Sequence, residues 1–315
     1  MKKFLLSVAT ILTVGVASAQ TAAEVNTKFN EAAALLNAKN YSGAIPVLEE
    51  TIKMAQSATE DVSSTLSESQ KYLINAYIAD GKVTASKGNF DKSLEDFQKA
   101  YDLSSLTSNI SGKKNAETML VAVHSAQGGK YLKAGDNAAA LESYEKAVAI
   151  SPKNTKVLLT AAQLSAKNGD LEKAGTYYET IINLGDSHSK YQADAEKAKA
   201  AYTIDLMNIA ATATDFETAE ASINKVLSFD PTSAVALSTL VKSANNYKKY
   251  DVVIANADNA IAAQTEDAEK GNLNFLAGVA YEVKENTTKA LSHYKQVTAG
   301  DNVAAAKTQV TALSK

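Results

Sequence analysis

The stretch from Gly128 to Pro152, GGKYLKAGDNAAALESYEKAVAISP, constrains this chain more than any other. Two segments of helical period flank a Gly135-Asp136-Asn137 break. Glycine closes a helix in the left-handed conformation at little cost, and Asp136 or Asn137 can cap the next helix by accepting a backbone N–H. Ala140, Tyr144 and Ala147 recur at spacings of four and three, so they share one helix face, and the alanines let a neighbouring helix come close. The stretch reads as a hairpin of two helices that stops before Pro152.

The same pattern returns along the chain. Aligning on the turn residue gives Tyr41, Phe90, Asn137, Leu171, Phe216, Tyr250 and Thr287, with successive spacings of 49, 47, 34, 45, 34 and 37. Three residues after each anchor stands a mostly small side chain: Ala44, Ser93, Ala140, Ala174, Ala219, Val253 and Ala290. Four further on comes the bulky one: Leu48, Phe97, Tyr144, Tyr178, Ile223, Ala257 and Tyr294. Gly88, Gly135 and Gly169, each followed by Asn or Asp, close first helices, and Pro152 and Pro231 end units three and five. The first, sixth and seventh units are degenerate, with Thr51 in place of a small residue, sizes inverted at Val253 and Ala257, and Thr287 in place of an aromatic.

Gly128, Tyr131, Ala140, Tyr144 and Pro152, in that order, resemble the tetratricopeptide repeat, a 34-residue helix-turn-helix unit. His124 stands where the family's strongest repeats carry Trp. The resemblance, to exported bacterial (Bacteroidota-like) members, implies an all-α fold: a right-handed superhelical solenoid of about seven hairpins with a C-terminal capping helix. In proteins of this fold, first helices line a concave groove that holds a peptide or a partner helix. Carried over by position, the groove residues here are Asn75, Lys82, Lys133, Lys156, Gln163, Lys167, Asn208, Lys242 and Asn245, with Ile78, Leu159 and Ile204 between them. Amides can bond an extended backbone and lysines favour carboxylates, so the expected partner is an acidic or neutral peptide segment. The family's chaperone-binding members clamp a carboxyl terminus with lysine, asparagine and arginine. This chain has no arginine, so that function does not carry over.

Three segments are expected from the order of the chain. Residues 1–19 have the build of a secretory signal peptide: Lys2 and Lys3, an apolar run from Phe4 to Val16, then Ala17-Ser18-Ala19 at the cleavage position. Residues 20–300 form the array, and 301–315 its capping helix, with Val303, Ala306, Val310 and Leu313 as the apolar face. No membrane span is expected after cleavage, and the periplasm or the extracellular space is the expected location. Pro46 is expected in the first turn of its helix, residues 57–73 as a loop, Ser104 to Lys114 as a mobile loop, and Gly185 to Ser189 as a break.

Composition narrows the chemistry. Against 35 acidic residues stand 32 basic ones, a net charge of −3; loss of Lys2 and Lys3 with the leader takes it two lower, to −5. Every basic residue is lysine, which argues against nucleic acid, where planar bidentate contacts lean on arginine. There is no cysteine for thiol chemistry or a lipid anchor, and three histidines are too few and too scattered for a metal site. Asp186-Ser187-His188 holds the residue types of a hydrolase triad, but sequence neighbours do not make its geometry, and a capping role is expected. No cofactor is implied. The reading is a non-enzymatic exported scaffold that binds protein. A carbohydrate-binding envelope protein is the alternative, weakened by the absence of Trp for stacking on sugars.

Overall fold

The computed structural model describes residues 20–315; the leader expected over 1–19 lies outside the described residues. Among these, fifteen α-helices and no strand are found. In chain order α1 (Ala22–Asn37) pairs with α2 (Tyr41–Ser57), α3 (Ser63–Ser86) with α4 (Phe90–Leu106) and α5 (Ile110–Lys133) with α6 (Asn137–Ile150), and α7 (Thr155–Lys167) and α8 (Leu171–Ser187) come next. There follow α9 (Gln192–Thr212) with α10 (Phe216–Phe229), α11 (Ala234–Asn246) with α12 (Tyr250–Ala263), α13 (Asp267–Val283) with α14 (Thr287–Lys295), and a last helix, α15 (Val303–Leu313). The chain divides into two compact units, Met1–Leu164 and Ser165–Lys315, with the division inside α7.

The turn chemistry sets the register. All seven anchors are the first residues of second helices. Asn40, Asn89, Asp136, Asp170, Asp215 and Asn286 cap those helices, each side chain accepting the backbone N–H three residues on at 2.7 to 3.3 Å. Ahead of six of the seven second helices the chain turns left-handed; before Asp215 it does not. Gly88, Gly135 and Gly169 do so at φ 78°, 80° and 85°, while Lys39, Lys248 and Glu285 take the same conformation at 57°, 58° and 58°. Those three non-glycine residues carry the steric cost of a Cβ in that region.

Inside each hairpin the small and bulky positions interlock. The small side chains Ala44, Ser93, Ala140, Ala219, Val253 and Ala290 are fully buried, and Leu48, Phe97, Ile223 and Tyr294 are at most 2% exposed. Sixteen residues before Phe97, Tyr144 and Tyr294 stand Gly81, Gly128 and Gly278, so each first helix offers a hydrogen where each ring lies. Val241 stands the same distance before Ala257, and both are buried. The inverted sizes of unit six are thus an exchange of bulk from second helix to first.

The extra residues before units two, three and five lengthen first helices: α3 and α5 run 24 residues and α9 runs 21, against 13 in α7 and α11. Four local expectations need correction. Ser63 to Leu73, expected as loop, opens α3, and only residues 58–62 connect it to α2. Ser104 to Lys114 is likewise not a mobile loop. Ser108 turns left-handed at φ 54°, and Asn109 caps α5 by accepting from the Gly112 N–H at 2.9 Å, so the turn is Thr107 to Asn109. Pro46 lies in the second turn of α2, not the first, and without an N–H it donates no bond to the Ser42 carbonyl, both residues being exposed to water. Helix α8 continues through Gly185 to Ser187, and the break falls at His188 before a single 3-10 turn, Ser189–Tyr191.

Each unit has its own apolar core. In the first, Ala32, Leu48, Ile74, Tyr77, Phe97, Ala116 and Leu120 form one cluster spanning α1 to α5. In the second, Tyr281, Ala290, Tyr294 and Val297 gather around α13 and α14, and α15 lays Val303, Ala306, Val310 and Leu313 on them.

Candidate functional site

First helices carry the predicted surface residues. Asn75 and Lys82 are on α3, Lys133 on α5, Lys156 and Gln163 on the part of α7 in the first unit, and all five are exposed. In the second unit Lys167 ends α7, Asn208 is on α9, and Lys242 and Asn245 are on α11; Asn245 is half-buried and the other three are exposed. Of the apolar residues set between them, Ile78 is buried, Leu159 half-buried, and Ile204 63% exposed. Asn75 and Lys82 share α3, and Lys133 ends α5, a helix that α3 touches as well as α4.

Charge separates these helices from their partners. Helix α5 carries Lys113, Lys114, Lys130 and Lys133 against Glu117 alone, whereas α4 carries Asp91, Glu95, Asp96 and Asp102 against Lys92 and Lys99. On α4 and α6 the lysines are paired locally: Lys92 binds Asp96 at 2.7 Å, Lys99 binds Glu95 at 2.7 Å, and Lys146 binds Glu142 at 2.8 Å. Among the described residues, Lys82, Lys133, Lys156 and Lys167 form no ion pair. Lys242 does, with Glu269 of α13 at 2.5 Å, so this member of the predicted set is already neutralised within the second unit.

Two features of the first unit were not anticipated. Phe29 of α1 and Tyr72 of α3 stack with ring centroids 5.4 Å apart and planes 9° from parallel, and Tyr72 remains 39% exposed. Tyr72 had been placed in a loop, which has no face to assign; the helical spacing to Asn75 was the available signal. Lys130 extends over the Phe90 ring at 6.0 Å, a cation–π contact that fixes it away from Lys133.

The residues that suggested chemistry take structural roles. Ser187 donates to the Asn183 carbonyl at 2.8 Å within α8, and His188 is exposed with its edge against Tyr191. His124 lies on α5 with a buried Nδ1 that has no partner, and burial holds the ring below its usual pKa, in the neutral form. His293 lies on α14, stacks on Tyr281 and meets Asn274 at 3.0 Å, and burial lowers its pKa too. Among the described residues no three His, Asp or Glu side chains are grouped to hold a metal, and no helix is long and apolar enough to cross a membrane.

The fold and its faces define a class of protein: an all-α array of helix hairpins whose first helices present polar, partly unpaired side chains. A family model described as Tetratricopeptide repeat matches residues 131–202. Tetratricopeptide-repeat folds serve in general as scaffolds for protein–protein interaction and are in general non-catalytic. No curated protein matches the chain in sequence. Similar solved structures include the C-terminal part of a TPR repeat-containing protein from Cytophaga hutchinsonii, 17% identical over 90% of this chain and 99% of that one, TM-score 0.38. A tetratricopeptide repeat protein from Parabacteroides merdae is 14% identical over 92% and 99%, TM-score 0.27. The P58(IPK) TPR domain is 12% identical over 92% and 97%, TM-score 0.32.

Proposed function

We propose that this chain is a non-enzymatic, exported scaffold that holds a segment of another protein on its first-helix faces. The observation that carries the reading is the exposed polar surface of α3 and α5 in the first unit, Asn75, Lys82 and Lys133, where neither lysine forms an ion pair, while the lysines of α4 and α6 are paired within their helices. Solvent-exposed lysines gain little from folding, so leaving them unpaired costs no stability and keeps them available to a partner. Export rests on the build of residues 1–19, and the periplasm is the location it favours. Weighing against the glycan alternative, Tyr77, Tyr178, Tyr202, Tyr281 and Tyr294 are buried in the hairpins and not available to stack on a sugar ring.

The test is affinity capture from an envelope extract with the purified chain, run beside a variant in which Lys82, Lys133, Lys156 and Lys167 become Glu. A protein partner retained by the native chain and lost by the variant supports the reading. Equal retention by both moves the site off the first helices, and capture of no protein overturns the scaffold assignment.

A further inference from the structure

The turn that leads from α4 into α5, Thr107 to Asn109, is flanked by the two most exposed large apolar side chains among the described residues, Leu106 at 77% and Ile110 at 82%. Its local chemistry is that of the turns inside the hairpins: Ser108 is left-handed at φ 54°, and Asn109 caps the helix that Ile110 opens. At the equivalent first helical position Tyr41, Phe90 and Tyr250 are half-buried, whereas Ile110 is open to water. The position is fixed. Gly112, two residues on, lies against α4 and α3, where a Cβ would fall 2.6 Å from the Ser104 hydroxyl and 3.0 Å from an Ile74 methyl, so the start of α5 is pinned with Ile110 outside. The other two connections between hairpins of the first unit, 58–62 and 151–154, expose no Leu, Ile or Val.

We infer that this turn docks on the surface of a lipid bilayer that carries anionic headgroups, with Leu106 and Ile110 entering the boundary of the acyl chains and Lys113 and Lys114 against the headgroup phosphates. Charge selects that occupant. From Leu103 to Ala116 there are two lysines and no acid, a charge of +2 in a chain of net charge −3. The lysines do nothing for the helix, since a cation in the opening turns of α5 opposes a dipole that favours acids there. Three and four residues after Ile110, they share its side of α5. Lys114 is exposed, and Lys113 extends over the half-buried Tyr101 ring at 5.0 Å, which sets an amphipathic aromatic beneath a cation, a pairing suited to the headgroup level. Leu106 is at most about 14 Å of chain from Ile110, so the two can enter one surface together. A second copy of this chain is a poorer occupant, because apposed turns would bring the lysines of both together with no acid between them. Two aliphatic side chains and two lysines give weak, reversible attachment. No residue of the proposed scaffold face takes part, so this contact stands without that reading.

The test is sedimentation of the purified chain with sucrose-loaded vesicles of phosphatidylcholine, alone or mixed with phosphatidylglycerol. The chain should sediment with the mixed vesicles, half-bound at about 1 mM lipid and less as salt is added, and not with phosphatidylcholine alone. Leu106→Ser and Ile110→Ser should each weaken binding about tenfold and Lys114→Gln about fivefold, with melting temperature unchanged because all three side chains are exposed. The chain has no tryptophan, so Ile110→Trp supplies a single reporter whose emission should shift to the blue on adding the mixed vesicles. Absence of binding at about 10 mM lipid, or equal binding by both serine variants, overturns the inference. Competition by inorganic phosphate at constant ionic strength overturns it by assigning the lysines to free phosphate, and dimerisation that Ile110→Ser abolishes overturns it in favour of a second copy. Loss by Leu106→Ser of a protein captured from the envelope extract, without vesicle binding, overturns it in favour of a protein partner.

Discussion

Gly128→Ala, set against Gly129→Ala, tests the interlocking of first and second helices with the sharpest internal control the chain offers. A Cβ at residue 128 would fall 2.7 and 2.8 Å from two ring carbons of Tyr144 and 3.3 Å from the Ala140 carbonyl oxygen. A Cβ at residue 129 would meet nothing closer than the Tyr144 hydroxyl at 4.0 Å. Both glycines lie in the interior of α5, so both substitutions gain about 1 kcal/mol of helix propensity. Only the first forces the helices apart, at a cost of about 1–3 kcal/mol. Gly129→Ala should therefore stabilise, and Gly128→Ala should fall about 1–3 kcal/mol below it. Adding Tyr144→Leu to Gly128→Ala should recover part of the loss, a coupling that a double-mutant cycle reads directly. Urea titrations followed by helical circular dichroism provide the numbers, compared as midpoints because arrays need not unfold in one step. Equal stabilisation by both alanines would refute the packing of Gly128 against Tyr144.

Further outcomes follow from other positions. Lys39→Gly and Glu285→Gly relieve a Cβ held at φ 57° and 58°, and each should raise stability by about 1 kcal/mol in thermal denaturation, whereas Gly88→Ala, at φ 78°, should lower it by a similar amount. Asp96 is fully buried, its Oδ2 has no partner, and burial pushes its pKa up despite the 2.7 Å bond from Lys92, whose own pKa that bond raises. Burial governs the pair, since one partly exposed lysine does not offset the cost of a charge with a bare oxygen. A raised folded pKa gives stability that is present below the unfolded value and lost as pH rises through the folded one. Asp96→Asn should thus be neutral or stabilising by about 1 kcal/mol at pH 7, with the advantage shrinking as pH falls toward 4; a loss of several kcal/mol at pH 7 would contradict it. Deleting residues 301–315 uncovers Tyr281, Tyr294 and Val297 beneath α15, and light scattering should report association; a monomer of unchanged stability would show that α15 is no cap.

The register was legible because it is written in local chemistry. A left-handed residue, an Asn or Asp cap and a small residue three positions into the helix each act within one turn of chain, and most units carry all three, so the seven anchors could be placed from residue types and spacing. The starts of α3 and α5 were not legible for the same reason in reverse. The segments that opened α3 and α5 are rich in Ser, Thr and Lys, and they stay helical because tertiary partners cover a few positions such as Ser69, Leu73 and Ala116, not because the residues favour it. Reading Ser104 to Lys114 as loop overlooked that Ser108 and Asn109 repeat, between hairpins, the left-handed turn and cap used within them. The size inversion of unit six needed the structure, since Val241 compensates Ala257 from the other helix.

The recognition surface is the part on which folding places the fewest demands. Ala140 has no freedom of size, whereas Lys82, exposed and unpaired, could be replaced at no cost to the hairpin. The two units use this freedom differently. In the second, Lys242 is spent on Glu269, and the exposed residues of α9 and α11 include Ile204 and Val235. In the first, Lys130 of α5 lies over Phe90, while Lys82 of α3 and Lys133 of α5 are exposed and form no ion pair among the described residues. Pairs such as those on α4 and α6 stabilise a helix by only a few tenths of a kcal/mol, so folding does not fix which residue stands at positions 82 and 133, and under the scaffold proposal it is a partner that would.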